Sequence, residues 1–223
     1  MGVTLRVVGA VVLGVLLGPV LRAQIHRYAV PVGEPWRDAS RAWSFRTGPR
    51  LGVVEAVAAA VLALVAWRVP EPLVLLAVAW VAVFGVVLAF VDLAVHRLPD
   101  RLTLTAFGGG LVLFGLSAVV DGEYGPLWSA VVCALAVSAF YLILAVASPA
   151  GMGLGDVKAA LSVGLVAGWF GLGVALAAAV AGFLLAGLYA AALLVLRKAG
   201  RKDHIAHGPF LLLGALIALT VAA

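Results

Sequence analysis

Two aspartates, Asp92 in "VVLAFVDLAVHRLPDRLT" and Asp156 in "GMGLGDVKAA", stand out in a chain that is 65% hydrophobic and only 11% charged. An ordinary soluble domain has about 45–50% apolar and about 25% charged residues, so most of this chain is suited to lipid rather than water. An ionisable group inside an apolar span is costly and points to a function and to a partner. Two carboxylates held close together cannot easily both ionise, so they share a proton, one acting as base and the other as acid. That division suits hydrolysis of a peptide bond, in which one carboxylate activates water while the other protonates the carbonyl oxygen or the leaving amine. Such chemistry requires no metal and no cofactor.

The remaining acids separate by position. Of the ten Asp and Glu residues, Glu34, Asp38, Glu71, Asp121, Glu123 and Asp203 fall between apolar runs, which leaves Glu55, Asp92, Asp100 and Asp156. Asp100 follows Pro99 and precedes "RLTLTAF", which reads as the N-cap of the next helix, with a part in chemistry as the alternative. His96, four residues after Asp92, would share its helical face; it could bond the carboxylate or snorkel to the interface. Lys158 could steady the charge of Asp156 or mark the membrane boundary. Glu55, about one turn inside its apolar run with no evident partner, is assigned a supporting role.

The glycines before Asp156 also need an account. Gly151, Gly153 and Gly155 alternate with other residues, and their freedom would allow positive φ and close approach of an extended substrate. Irregular backbone within a bilayer is tolerated where it is buried in protein or lines a wet cavity. The alternative is a plain connecting loop with Asp156 as a helix N-cap. The spacing G-x-G-x-G, with no strand leading in, fits neither the dinucleotide nor the phosphate-loop pattern.

The elements that must position these acids are membrane helices. A span needs about 20 mostly apolar residues, and apolar runs predict an all-α membrane bundle of about eight spans. They run from Val7 to Leu21, Leu51 to Trp67, Leu73 to Val95, Leu102 to Val120, Leu127 to Ala147, Val157 to Phe170, Val174 to Leu196 and Phe210 to Ala222. The first run ends with Arg22 where a cleavable leader would place small residues, so it is read as a retained span. Residues 23–50, rich in Pro and Gly, are read as a loop. The whole of 1–223 is read as one membrane-embedded domain.

Charge sets the expected orientation. Of fifteen basic residues, all but Arg6 and Arg68 lie around the first, third, fifth and seventh connections. The positive-inside rule puts those connections in the cytoplasm and both termini outside. Asp92, near the end of the third span, and Asp156, opening the sixth, then fall on the cytoplasmic side at matching depth. The net charge of +5 is thereby explained by topology, and no interleaving of aromatic and basic residues suggests a nucleic-acid partner. The single cysteine, Cys133, permits neither a disulfide nor a paired-cysteine metal site within the chain.

"FVDLAVHRLPDRLT" followed by "GMGLGDVKAALSVGLVAGW" resembles the two signature regions of type IV prepilin peptidases, bilayer aspartic proteases of the GxGD class. "RLGVVEAVAAAVLALVAWR" is similar to that family's glutamate-bearing second span, and "HGPFLLLGAL" to its last loop and span, so the resemblance covers roughly residues 50–220. It implies a bacterial cytoplasmic-membrane enzyme with Asp92 and Asp156 as the catalytic pair. It also implies, as partner, a prepilin or pseudopilin whose short basic leader is cut after glycine, just before its apolar helix. The departure lies in residues 23–50: bifunctional members carry paired C-x-x-C motifs there and N-methylate the new terminus, whereas this stretch has no cysteine. The resemblance therefore gives no ground for cysteine-bound zinc or for methyltransferase activity.

Two readings from other classes compete. A proton- or cation-coupled transporter could use Asp92, Asp156 and Glu55 as ligands, but it calls for polar groups through the full membrane depth. The expected outer half offers chiefly Ser117, Ser129 and aromatics. A non-catalytic scaffold for a pilus machine would have no need of both aspartates.

Overall fold

In lipid every backbone N–H and C=O must find a partner within the protein, which leaves the helix as the natural form for long apolar runs. The computed structural model, which describes residues 2–29, 49, 51–147, 152–196 and 206–221, is all-helical over those residues. Among the described residues the helices are α1 (Val3–Tyr28), α2 (Val53–Arg68), α3 (Pro72–Val95), α4 (Asp100–Asp121), α5 (Gly125–Ala147), α6 (Leu154–Trp169), α7 (Leu172–Val195) and α8 (Gly208–Val221). Five of them, α1, α3, α4, α5 and α7, are long and apolar enough to cross a membrane, and α8 is a shorter apolar helix. The chain is a multi-pass membrane protein.

Each helix matches one apolar run, with shifted ends. α1 continues beyond Leu21 to Tyr28, so residues 23–28 are helix rather than loop. Ile25 and Tyr28 are buried there, and that packing extends the helix past the polar Arg22 and Gln24. Most of the remaining expected loop, and with it Glu34 and Asp38, lies outside the described residues, as does Asp203. α6 starts at Leu154, before the apolar run, so that Asp156 lies within its first turn.

Many large apolar side chains face outward. Val8, Val12, Leu16 and Val20 form an exposed stripe on α1, and Leu176, Leu184 and Leu188 one on α7. The inward face of α7 carries small residues, Ala175, Ala178 and Gly182. This is the reverse of a water-soluble domain, because lipid accepts the bulky apolar groups while small residues let helix backbones approach.

Packing divides the chain into two units, with the boundary between Ser117 and Ala118, inside α4. In the first unit α1 lies on α2, and a methyl group added at Gly14 would fall into the Ala58–Ala59 backbone. Arg6 donates to the carbonyls of Val69 and Pro70 at 3.1 and 2.7 Å, which ties the start of α1 to the end of α2. Trp80 of α3 donates from Nε1 to the Thr105 carbonyl of α4 at 3.1 Å.

In the second unit α5 and α6 are antiparallel neighbours. Gly164 faces the backbone of Cys133 and Ala134, and Gly168 faces Cys133 and Ala130, so close that a methyl group on either would collide. Ser129 donates to the Gly168 carbonyl at 2.7 Å and Ser138 to the Val157 carbonyl at 2.9 Å. Interhelical bonds of this kind contribute about 0.6–2 kcal/mol each in membranes. α7 and α8 cross where Gly214 meets the Ala178 carbonyl and Gly182.

Candidate active site

Asp92 lies in the last turn of α3 and is buried, 5% exposed. The helix stops because His96 turns into the left-handed region at φ 51°, while its N–H still reaches the Asp92 carbonyl at 2.8 Å. His96 is therefore outside the helix, and exposed, so the shared helical face expected of Asp92 and His96 does not form. The chain re-enters helix at Pro99, whose carbonyl accepts the N–H groups of Leu102 and Thr103 at 3.0 and 3.1 Å. Pro99 takes the capping place expected for Asp100. Proline has its φ already set and no N–H to satisfy. Asp100 becomes the first residue of α4 and is exposed, where an acid still favours the positive end of the helix dipole.

Asp156 is also buried, 9% exposed. It is not the N-cap. Gly153 holds that place with extended backbone, φ −90° and ψ 157°, and Asp156, three residues on, turns back so that Oδ2 accepts the Gly153 N–H at 3.1 Å. The Asp156 N–H donates to the Gly153 carbonyl, also at 3.1 Å. Gly153 and Gly155 do not take the positive φ that their freedom would allow: among the described residues, the glycines with positive φ are Gly52, Gly122 and Gly171. Gly155 is helical because α6 begins before it, and Gly151 lies outside the described residues. Lys158 is half-buried in the same helix. Asp92 and Asp156 are the buried carboxylates among the described residues.

One part of the surroundings of Asp156 is absent from the sequence reading. Tyr141 of α5 is fully buried, and its hydroxyl lies 3.1 Å from Nε2 of His207, the residue before α8. The Tyr141 ring packs on Phe183 of α7 at 5.2 Å between centroids, and Asp156 is near enough to act electrostatically on the hydroxyl. Burial holds the His207 imidazole below its usual value of 6.5, so it is neutral near pH 7.

Glu55 has the partner that the sequence did not reveal. It pairs with Arg22 of α1, and its other carboxylate oxygen accepts the Gly52 N–H at 3.1 Å. Gly52, at φ 90°, opens α2 as Gly153 opens α6. Both helices thus begin with a glycine whose amide is held by the acid three residues later, as in a capping box. Among the described residues no three of His, Cys, Asp and Glu converge into a group that could hold a metal ion.

A polytopic helical membrane protein with a buried aspartate near the end of one helix and another in the first turn of a second is the class that the fold and these side chains define. The type IV leader peptidase family model matches residues 79–196, more than half of the chain and a stretch containing both aspartates. The chain belongs to that family. Over 139 residues it is 34% identical to a prepilin leader peptidase/N-methyltransferase of Aeromonas salmonicida, covering 60% of this chain and 45% of the relative. Over 176 residues it is 33% identical to a protein of the same name from Neisseria gonorrhoeae, covering 77% of this chain and 57% of the relative. The matched part thus spans about half the length of these relatives. No solved structure matches the chain.

Proposed function

We propose that this protein is a membrane aspartic endopeptidase that removes the short basic leader of prepilin-like proteins, with Asp92 and Asp156 as its catalytic pair. The observation that carries the reading is that the family match encloses the two buried carboxylates. In the alternation of spans read from the sequence, the end of α3 and the start of α6 fall on the same, cytoplasmic side. In this reading one carboxylate takes a proton from water as the oxygen attacks the scissile carbonyl. The other, protonated, gives its proton to the carbonyl oxygen. The tetrahedral intermediate collapses as the amine leaves with a proton, and the pair returns to sharing one.

The substrate in this reading reaches the site from the cytoplasmic face and is cut after glycine, ahead of its apolar helix. In this reading Gly153, Gly155 and Lys158 support Asp156 at the start of α6, Pro99 and Asp100 support the site from the turn that follows Asp92, and Glu55 supports it from the start of α2. The relatives' names include methyl transfer, but with Cys133 as the sole cysteine of the chain the proposal is confined to leader removal. Its test is co-expression with a reporter prepilin, scored for leader loss by mass. Asp92→Asn and Asp156→Asn are each expected to abolish cleavage at unchanged membrane abundance; cleavage by either variant would overturn the assignment.

A further inference from the structure

The packing of α5 on α6 fixes a register. Ser129 stands opposite Gly168, Ala134 opposite Gly164 and Ser138 opposite Val157. Twelve residues along each helix from the Ser129–Gly168 contact, this antiparallel register sets Tyr141 opposite Asp156, in keeping with the electrostatic interaction between them. Two buried polar side chains converge there from elsewhere in the unit. Tyr141 is fully buried, and His207 is 9% exposed. Neither was placed to satisfy the main chain, since each bonds the other, and the Tyr141, Phe183 and His207 rings pack against one another with centroids 5.2–5.5 Å apart.

A neutral imidazole bearing its proton on Nε2 donates to the tyrosine oxygen and leaves the phenolic hydrogen to be given elsewhere. The carboxylate opposite is the acceptor at hand, directly or through one water. We propose that His207 aims the Tyr141 hydroxyl at Asp156, so that this tyrosine is a positioning residue for the carboxylate and His207, immediately before α8, is part of the active-site machinery. This rests on the reading of Asp156 as catalytic.

The test uses the full chain purified in detergent with a reporter prepilin, measuring kcat, KM and thermal midpoint. Tyr141→Phe deletes the hydroxyl and keeps the ring. It is expected to lower kcat by about tenfold to a hundredfold, the worth of a hydrogen bond to a charged group, with KM within about twofold. His207→Leu is expected to do the same, whereas His207→Gln, which retains an N–H donor, recovers most of the loss. A wild-type kcat for Tyr141→Phe would overturn the inference. If Tyr141→Phe does not fold, the two His207 variants decide: Gln well above Leu supports it, and equal values overturn it. Asp156→Asn run in parallel separates the two failures. An active Asp156→Asn removes the proposed function itself, while an inactive one beside an unimpaired Tyr141→Phe removes only the positioning role.

Discussion

The main-chain amide of Gly153 stands 3.1 Å from Oδ2 of Asp156, so the buried acid of α6 holds the residue at which its own helix begins. Gly153→Pro would delete that donor at a backbone angle close to what proline accepts. Gly153→Ala would keep it, because a methyl group there would meet nothing nearer than 3.7 Å. The alanine variant is expected to stay within about 0.5 kcal/mol of wild-type stability. The proline variant should show a kcat at least about tenfold below that of the alanine variant, measured on the reporter prepilin.

Gly164 and Gly168 are where α5 and α6 have no spare room. Gly164→Ala and Gly168→Ala are each expected to destabilise by about 1–3 kcal/mol, the usual cost of overpacking. Gly187→Ala, in the middle of α7 with open space around it, is expected to be neutral or to stabilise by up to about 1 kcal/mol through helix propensity. Unfolding in detergent measures all three.

The pair between Arg22 and Glu55 is mostly shielded, with side chains 18% and 17% exposed. Removing one partner strands the other charge, which costs more than removing both. Arg22→Met and Glu55→Gln are each expected to destabilise by about 1–3 kcal/mol, and the double variant by less than the two combined. A Glu55→Gln variant that is as stable as wild type but poorly active would instead show that Glu55 serves chemistry.

Stability should depend on His207. Its pKa is lowered in the folded state by burial, whereas the unfolded chain restores it to about 6.5. Below that value the unfolded state binds the extra proton, so the contribution of His207 is complete above pH 6.5 and is lost progressively as pH falls beneath it. The thermal midpoint is expected to drop from pH 7 to pH 5 with a slope that His207→Gln reduces.

Much of the fold could be read from the chain, since apolar runs in a bilayer have little choice but to become helices. Asp92 and Asp156 were identifiable because an acid is conspicuous in an apolar run. The errors were local. An apolar window that opens at Val157 leaves Leu154, Gly155 and Asp156 outside the sixth span, whereas α6 begins at Leu154, ahead of that window. Reading Asp100 as a cap overlooked that the carbonyl of Pro99 could serve. The partner of Glu55 lies 33 residues away. A hint was present, since Arg22 ends the first apolar run and Glu55 opens the second, on the same expected side. The bond between Tyr141 and His207 spans 66 residues. A tyrosine within an apolar run and a histidine beside Gly208 carry no local signal, and only the packing of α8 on α6 and α7 brings His207 to Tyr141.

The tight seam between α5 and α6 has a mechanical consequence. With glycine against backbone at two levels and serine hydroxyls bonded across at both ends, these two helices behave as a single rigid stave. Under the proposed function, any widening that admits a polypeptide beside Asp156 must be borne by other elements, because parting this seam would strand two hydroxyls in hydrocarbon.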